Sequence, residues 1–515
     1  MDVGGPHCFN PRMPDAKVAY DELITTIREI NLLGSVDSVL GWDERVMMPP
    51  KGAEHRANQS SLIARITHQQ FTAPRVGELL SAVEGTDLVR DPESDAAVNV
   101  RELRRSYDRA TKLPASLVEE MSKTAVLGQQ AWVEARKKSD YATFRPWLAK
   151  TLDLKKREAE CVGYKASPYD ALLDPFEPGD TAEDVRQVFA SFREPLVDLV
   201  RRIGESGKRA PIELFDRHFP AAAQEALSRD AAARIGFDFD AGRLDVSVHP
   251  FCSHLGPGDV RMTTRYSEGK FGAFFGVLHE TGHGLYGQGQ PAEHFGTPRG
   301  EYISLGIHES QSRMWENLVG RSRAFWEFFF PRAKETFPTA LRDVSLDQWL
   351  FAQNDIRPSL IRVEADEATY NLHILLRFEI EQAMVAGELG VDDVPGAWDE
   401  RMRQYFGLTP PDAARGVLQD IHWSGGAIGY FPTYTLGNLY AAQFFEQART
   451  DLGDLDAQFA RGEFLPLLGW LREHIHRHGK RYTARQLVRK VTGRDLSAEP
   501  LMRHLTRKAQ EFYGV

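Results

Sequence analysis

The sequence predicts a mainly helical protein with one small β element, folded as a single domain. Three observations predict it. Apolar residues recur at the helical period along most of the chain, as in Leu23, Ile27, Ile30 and Leu33. Period-2 alternation is confined to one region after residue 243, in "RLDVSVHPF" and "DVRMTTRY". No Gly/Ser- or Pro-rich linker, internal repeat or low-complexity tract divides the 515 residues.

Taken in order, residues 1–15 carry Gly4, Gly5, Pro6, Pro11 and Pro14 and read as a disordered leader; residues 16–515 read as one domain. Beyond the first helical stretch, Ser116 and Glu119 have the spacing of a capping box, as do Asp180 and Glu183. The second of these opens a helix that closes near Gly204, and Pro195 should kink or split it. The two alternating segments, separated by "GPGD", predict two strands. Helical periodicity then resumes to the end. The tail "REHIHRHGKR" reads as a solvated basic surface.

Composition narrows the function classes. Hydrophobic residues make up 42% and charged residues 26%, as in soluble globular proteins. The formal net charge of −10 argues against a general nucleic-acid binder. No run of 18 apolar residues predicts a membrane span, and the first twenty residues lack the apolar core of a signal peptide. Cys8, Cys161 and Cys252 form no C-x-x-C pair and read as free thiols in a reducing compartment, so the expected location is the cytoplasm.

One stretch carries chemistry. In "GVLHETGHGLYGQG", His279, Glu280 and His283 spell H-E-x-x-H. Chance would produce ~0.03 such strings in a chain of this length. Phe274, Phe275, Val277, Leu278 and Leu285 make it a buried helix ending near Gly287. Residues i and i+4 share a helix face, so both imidazoles can grip one Zn²⁺. Glu280, beside the first histidine, can act on a metal-bound water. Gly282 and Gly284 each cost about 1 kcal/mol inside a helix, a penalty that close approach of another backbone or of substrate would offset.

A catalytic zinc needs a third protein ligand. Glu293, Glu301, Glu309 and Glu316 are candidates. "GQGQPAEHFGTPRGEY" reads as loop, and "SLGIHESQSRMWENLV" as a helix returning beside the first, which favours Glu309 over Glu301 without excluding it. His308 would then be a hydrogen-bonding neighbour.

Six motifs follow in order: "HPF" (His249–Phe251), "DVRMT" (Asp259–Thr263), "HETGH" (His279–His283), "HESQ" (His308–Gln311), "IRVEAD" (Ile361–Asp366) and "GVLQDIHW" (Gly416–Trp423). With "WDERVMMP" near the start and "GAIGYFPTYTLGN" late on, they resemble the carboxypeptidase Taq family of thermostable metallocarboxypeptidases over nearly the whole chain beyond the leader. The resemblance implies a mainly helical, saddle-like body with a deep central groove and a small sheet near a gluzincin-like metal site. It implies Zn²⁺ or Co²⁺ at the groove floor and a homodimer. It also implies release of C-terminal residues one at a time from peptides with a free C-terminus, with broad specificity and poor action on C-terminal proline. At the matching positions His279, His283 and Glu309 are the implied metal ligands and Glu280 the implied base.

Other roles are open. His422 in "QDIHW" and Tyr434 in "FPTYTL" could donate to the developing oxyanion, with "SGGAIG" between them as a flexible loop over the site; a structural histidine and a core aromatic are the alternatives. Arg362 is the first choice for the substrate carboxylate, because its planar fork suits that group and because Glu364 and Asp366 lie near it in a helical stretch. A structural ion pair is its alternative. Arg261 is second, although Asp259 shares its strand face and could simply pair with it. His249 could line the groove. An endopeptidase, an aminopeptidase or an inert metal-binding scaffold are the competing functions; retention of Glu280, which no metal needs as a ligand, argues against the last.

Overall fold

Asp15 is the first residue described in the computed structural model, which covers residues 15–515. It caps the opening helix, Ala16–Val46, accepting Lys17 N at 2.8 Å. Apart from Asp15, the expected leader lies outside the described residues, and so does Cys8. Leu23, Ile27 and Ile30 are buried as the periodicity predicts, and they pack with Val76, Leu79, Leu80, Val83 and Leu103 in a small N-terminal core. A larger core runs from Trp132 to Tyr513. Helices dominate throughout, as expected from the period of the apolar residues.

Several boundaries differ from the sequence expectation. The helix Ala115–Lys138 starts after Pro114 without a side-chain cap, so Ser116 and Glu119 form no capping box. In the helix Ala182–Glu205 the box is formed by Thr181 and Asp184 instead of Asp180 and Glu183. That helix also continues through Pro195. The proline removes one backbone donor, but Phe189, Phe192, Leu196 and Leu199 are buried on both sides of it, and packing holds the helix together.

The sheet has three strands, not two: β1 (Gly242–Val246), β2 (Cys252–Gly256) and β3 (Asp259–Thr264), in the order β1-β3-β2. β1 runs parallel to β3, placing Leu244 opposite Met262. β2 folds back antiparallel on β3 through Pro257 and Gly258, the latter at φ 78°. "CSHLG" lacks strand-forming alternation; the hairpin and the neighbouring helices hold it in place. β3 splits its faces: Met262 is buried toward the helix Ala273–Gly289, while Arg261 stacks 4.4 Å from the Trp42 ring on the opening helix.

The helix Thr369–Ala386 buries a polar stripe of Tyr370, His373, Arg377 and Glu381. Glu381 accepts Tyr169 Oη (2.7 Å), Trp423 Nε1 (2.8 Å) and Gly429 N (3.1 Å). "SGGAIG" is therefore pinned at both ends and is not a loose flap. Burial pushes the Glu381 carboxyl up to about 7 from 4.5. The folded state then holds a proton that the unfolded chain has lost, so this group's stabilisation falls as pH rises between those values. Replacing Glu381 by Gln should flatten that slope, by up to roughly 3 kcal/mol between pH 4.5 and 7. Thermal unfolding across this range checks it; parallel slopes for both proteins would refute it.

Candidate metal centre

His279 and His283 project from one face of the helix Ala273–Gly289. Glu309 comes from the helix Leu305–Arg313, whose start is fixed by Ser304 Oγ accepting Ile307 N at 3.1 Å and by the buried Glu177 carboxylate accepting Gly306 N. The two helices meet at Gly282. A Cβ there would stand 2.5 Å from Ser312 Cα and 2.7 Å from Gln311 C, so a side chain would force the helices apart. Gly284 faces Phe237 in the same way. The expected close approach of another backbone is thus met at Gly282, whereas at Gly284 a side chain makes the approach. On the far side, a Cβ at Gly437 would lie 2.7 Å from Glu309 Cγ, so the helix Pro432–Leu452 presses directly on Glu309.

One ligand atom from each of His279, His283 and Glu309 lies within 4.8 Å of the others. Glu309 Oε2 is 3.8 Å from His279 Nε2 and 3.5 Å from His283 Nε2. Tetrahedral ligands at 2.0–2.1 Å from a zinc ion are about 3.3 Å apart, so the donor set fits such an ion with small adjustments. The remaining atoms are oriented for it. Glu316 Oε2 is 2.9 Å from His279 Nδ1, which leaves Nε2 free. Arg313 Nε donates to Glu309 Oε1 at 2.7 Å, leaving Oε2 for the imidazoles.

Glu316, a candidate ligand by sequence, instead supports a histidine. It sits in a π-helical turn, Met314–Val319, directly after the Glu309 helix. Glu301 pairs with Lys480, and Glu293 is exposed. His308 stacks on His283, ring centroids 4.3 Å apart and planes 17° apart. His254, from the unforeseen β2, lies 3.1 Å from the His283 carbonyl through Nε2.

Glu280 is 6% exposed. Burial pushes its carboxyl up to about 7; the Glu309 and Glu316 charges add to this and His279 opposes it. His422 Nε2 is 3.3 Å from Tyr434 Oη. Burial holds His422 down at about 4 against the pull of Asp420, so it is neutral near pH 7, and the Tyr434 hydroxyl is pushed well above 10 by burial.

Three expectations need correction. Arg362 lies in a short 3₁₀ turn, Arg362–Glu364, not in a helix. Its partner is neither Glu364, which is exposed, nor Asp366, which caps the next helix through Ala368 N and Thr369 N. Asp420 takes that role, accepting Arg362 Nε at 2.9 Å and Nη2 at 2.7 Å, while Nη1 donates to Tyr370 Oη at 2.7 Å. Arg261 takes the alternative offered by its strand face, pairing with Asp259 at 2.8 and 2.7 Å, and turns to Trp42. The tail is not a uniformly solvated surface: His476 is fully buried, with Nε2 2.9 Å from Gln311 Oε1. His249 is exposed between β1 and β2, where its carbonyl accepts Ser247 Oγ.

Sequence reasoning missed Asp420, Arg377, Tyr370 and Arg313 as members of this constellation and offered Glu316 only as a candidate ligand. Asp420 stands two residues before His422 inside a noticed motif. The others read as ordinary helix residues: Arg377 meets Asp420 far along the chain, and the near pairing of Arg313 with Glu309 and Glu316 looks like any i,i+4 or i,i+3 pair on a helix. Arg313, Glu316 and Tyr370 line a cavity of about 560 Å³. Among the described residues no helix is long and apolar enough to cross a membrane.

The chain is similar to known proteins over nearly its whole length. The family model described as carboxypeptidase Taq (M32) metallopeptidase matches residues 22–509. The chain is 50% identical over 508 residues to thermostable carboxypeptidase 1 of Thermus thermophilus, covering 97% of this chain and 99% of that one. It is 38% identical to carboxypeptidase 1 of Bacillus subtilis, covering 96% and 98%. The crystal structure of the M32 carboxypeptidase from Deinococcus radiodurans superposes with a TM-score of 0.93 at 41% identity, covering 97% of this chain and all 100% of the other.

Proposed function

We propose, for a chain that belongs to the carboxypeptidase Taq (M32) metallopeptidase family, that His279, His283 and Glu309 hold its divalent metal and that Glu280 is the acid–base group of its metallocarboxypeptidase reaction. The observation that carries this reading is the convergence of those three donors beside a buried carboxylate that is not one of them. Imidazole and carboxylate donors suit Zn²⁺, and Co²⁺ is an alternative occupant. A bound divalent ion supplies Lewis acidity for the scissile carbonyl and lowers the pKa of water toward about 7.

The protein's own groups do the rest. Glu280 accepts a proton from the attacking water and delivers it to the leaving amine. Tyr434 keeps its proton and donates to the developing oxyanion, with neutral His422 orienting that hydroxyl. Arg362 receives the substrate's α-carboxylate. Three of its five N–H groups are committed to Asp420 and Tyr370, so the remaining two are the ones available. Residues then leave one at a time from the free C-terminus, with broad side-chain tolerance and slow release of proline. The reading extends to a homodimer, and the free thiols Cys161 and Cys252 agree with a cytoplasmic setting.

Mass spectrometry of a peptide digest over time, with and without added Zn²⁺ or Co²⁺, tests the direction of cleavage. A ladder shortened only from the C-terminus is expected; rapid cleavage of internal bonds or loss of N-terminal residues would overturn it. Arg362→Ala is expected to lower kcat/KM on a free-acid peptide roughly 10- to 150-fold, the loss of one charge-assisted contact. On the amidated peptide, already a poor substrate, it should cost little more. Equal loss on both peptides would assign Arg362 to the fold alone.

A further inference from the structure

Behind Arg362 lies a second arginine. Arg377 is fully buried, its guanidinium carbon 4.6 Å from the Trp398 ring centroid and 5.4 Å from that of Phe431. Its Nη1 donates to the His373 carbonyl at 2.7 Å. Its Nε and Nη2 both meet Asp420 Oδ2, at 2.7 and 2.5 Å. The other oxygen of the same carboxylate serves Arg362. Two buried guanidinium groups therefore share one aspartate.

The surrounding groups do not supply a second counter-charge. His373 has no partner for either ring nitrogen, and burial keeps it neutral. His422 is neutral for the reasons given above. Glu381, one turn along from Arg377, binds Tyr169, Trp423 and Gly429 and is mostly protonated below about pH 7. Arg362 is 5.1 Å from the Tyr434 ring centroid and 5.7 Å from that of Tyr370, and ring faces attract a cation without neutralising it. A protein rarely buries an unbalanced charge unless something arrives to balance it.

We propose that Arg377 is a positioning residue for carboxylate recognition: by sharing Asp420 it leaves the buried cluster around Arg362 one positive charge in excess. The α-carboxylate of the peptide completes the balance. This rests on the reading of Arg362 above and extends it. An aspartate bonded to Arg362 alone would cancel its charge. The second arginine is what keeps the pair electropositive, and its own side chain never touches substrate.

The test is the ratio of kcat/KM for a free-acid peptide over its amide at about pH 6, with circular dichroism and metal content as controls. Arg377→Met makes the cluster neutral and should reduce the ratio about tenfold or more, chiefly through KM on the free acid. Asp420→Asn keeps it positive and should hold the ratio at or above the parent's. The double variant, Arg377→Met with Asp420→Asn, restores the single excess charge and should bring the ratio back to within about threefold of the parent. An unchanged ratio in folded Arg377→Met, or no recovery in the double variant, overturns the proposal. If Arg377→Met fails to fold, Asp420→Asn decides alone, and a fall as large as that of Arg362→Ala refutes the charge count. A parent ratio near one would instead remove the underlying reading of Arg362.

Discussion

Glu280→Gln is expected to keep about one metal ion per chain and to lower kcat by about 10²–10⁴-fold. The amide matches the carboxylate in shape, so the helix and the imidazoles on either side of it should stay in place. What it loses is the capacity to take and return a proton. Glu280 is not among the three donors that converge, so its removal should not open the metal site. Its 6% exposure means that little bulk water can substitute for it. Metal analysis and steady-state kinetics on the same preparation check the result. Full activity with normal metal content would exclude Glu280 as the acid–base group.

The second large effect is on the metal itself. Glu309→Ala should lose the ion on dialysis, whereas Glu301→Ala should keep it. Loss of a residue that merely supports a ligand costs about 10–100-fold in affinity, and removal of a direct donor should exceed that. Glu301 has another occupation, its pairing with Lys480. Gly282→Ala makes the same point without touching a donor. Its Cβ would collide with backbone at Gln311 and Ser312, and backbone cannot rotate away as a side chain can. The Glu309 helix must then shift from the histidines, and metal content should fall although all three donors remain. Retention of the ion by Gly282→Ala would show that the helices can separate without moving Glu309. Loss of the ion by Glu301→Ala with retention by Glu309→Ala would reverse the proposed ligand set.

The sequence by itself determined the helical class, the location of the β element and the two histidines with the glutamate between them. These are local properties. A period of 3.6 or 2 is written in neighbouring residues, and positions i and i+4 share a helix face whatever surrounds them. It also exposed two mid-helix glycines whose cost demanded a nearby surface. Only the tertiary structure decided what that surface was: the backbone of the Glu309 helix at Gly282 and the Phe237 ring at Gly284. Tertiary structure also chose among the acidic residues, giving Glu309 the place beside both imidazoles, Glu316 the support of His279 and Glu301 an ion pair with Lys480. It paired Arg362 with Asp420 rather than with the carboxylates nearby in sequence, stacked Arg261 on Trp42 and buried His476 against Gln311. Charge pairing depends on distance in space and on burial, and neither can be read from the chain when the partners are far apart along it. The strand β2 was hidden for the same reason: weak strand formers became a strand because a hairpin partner and a helix were there to receive them.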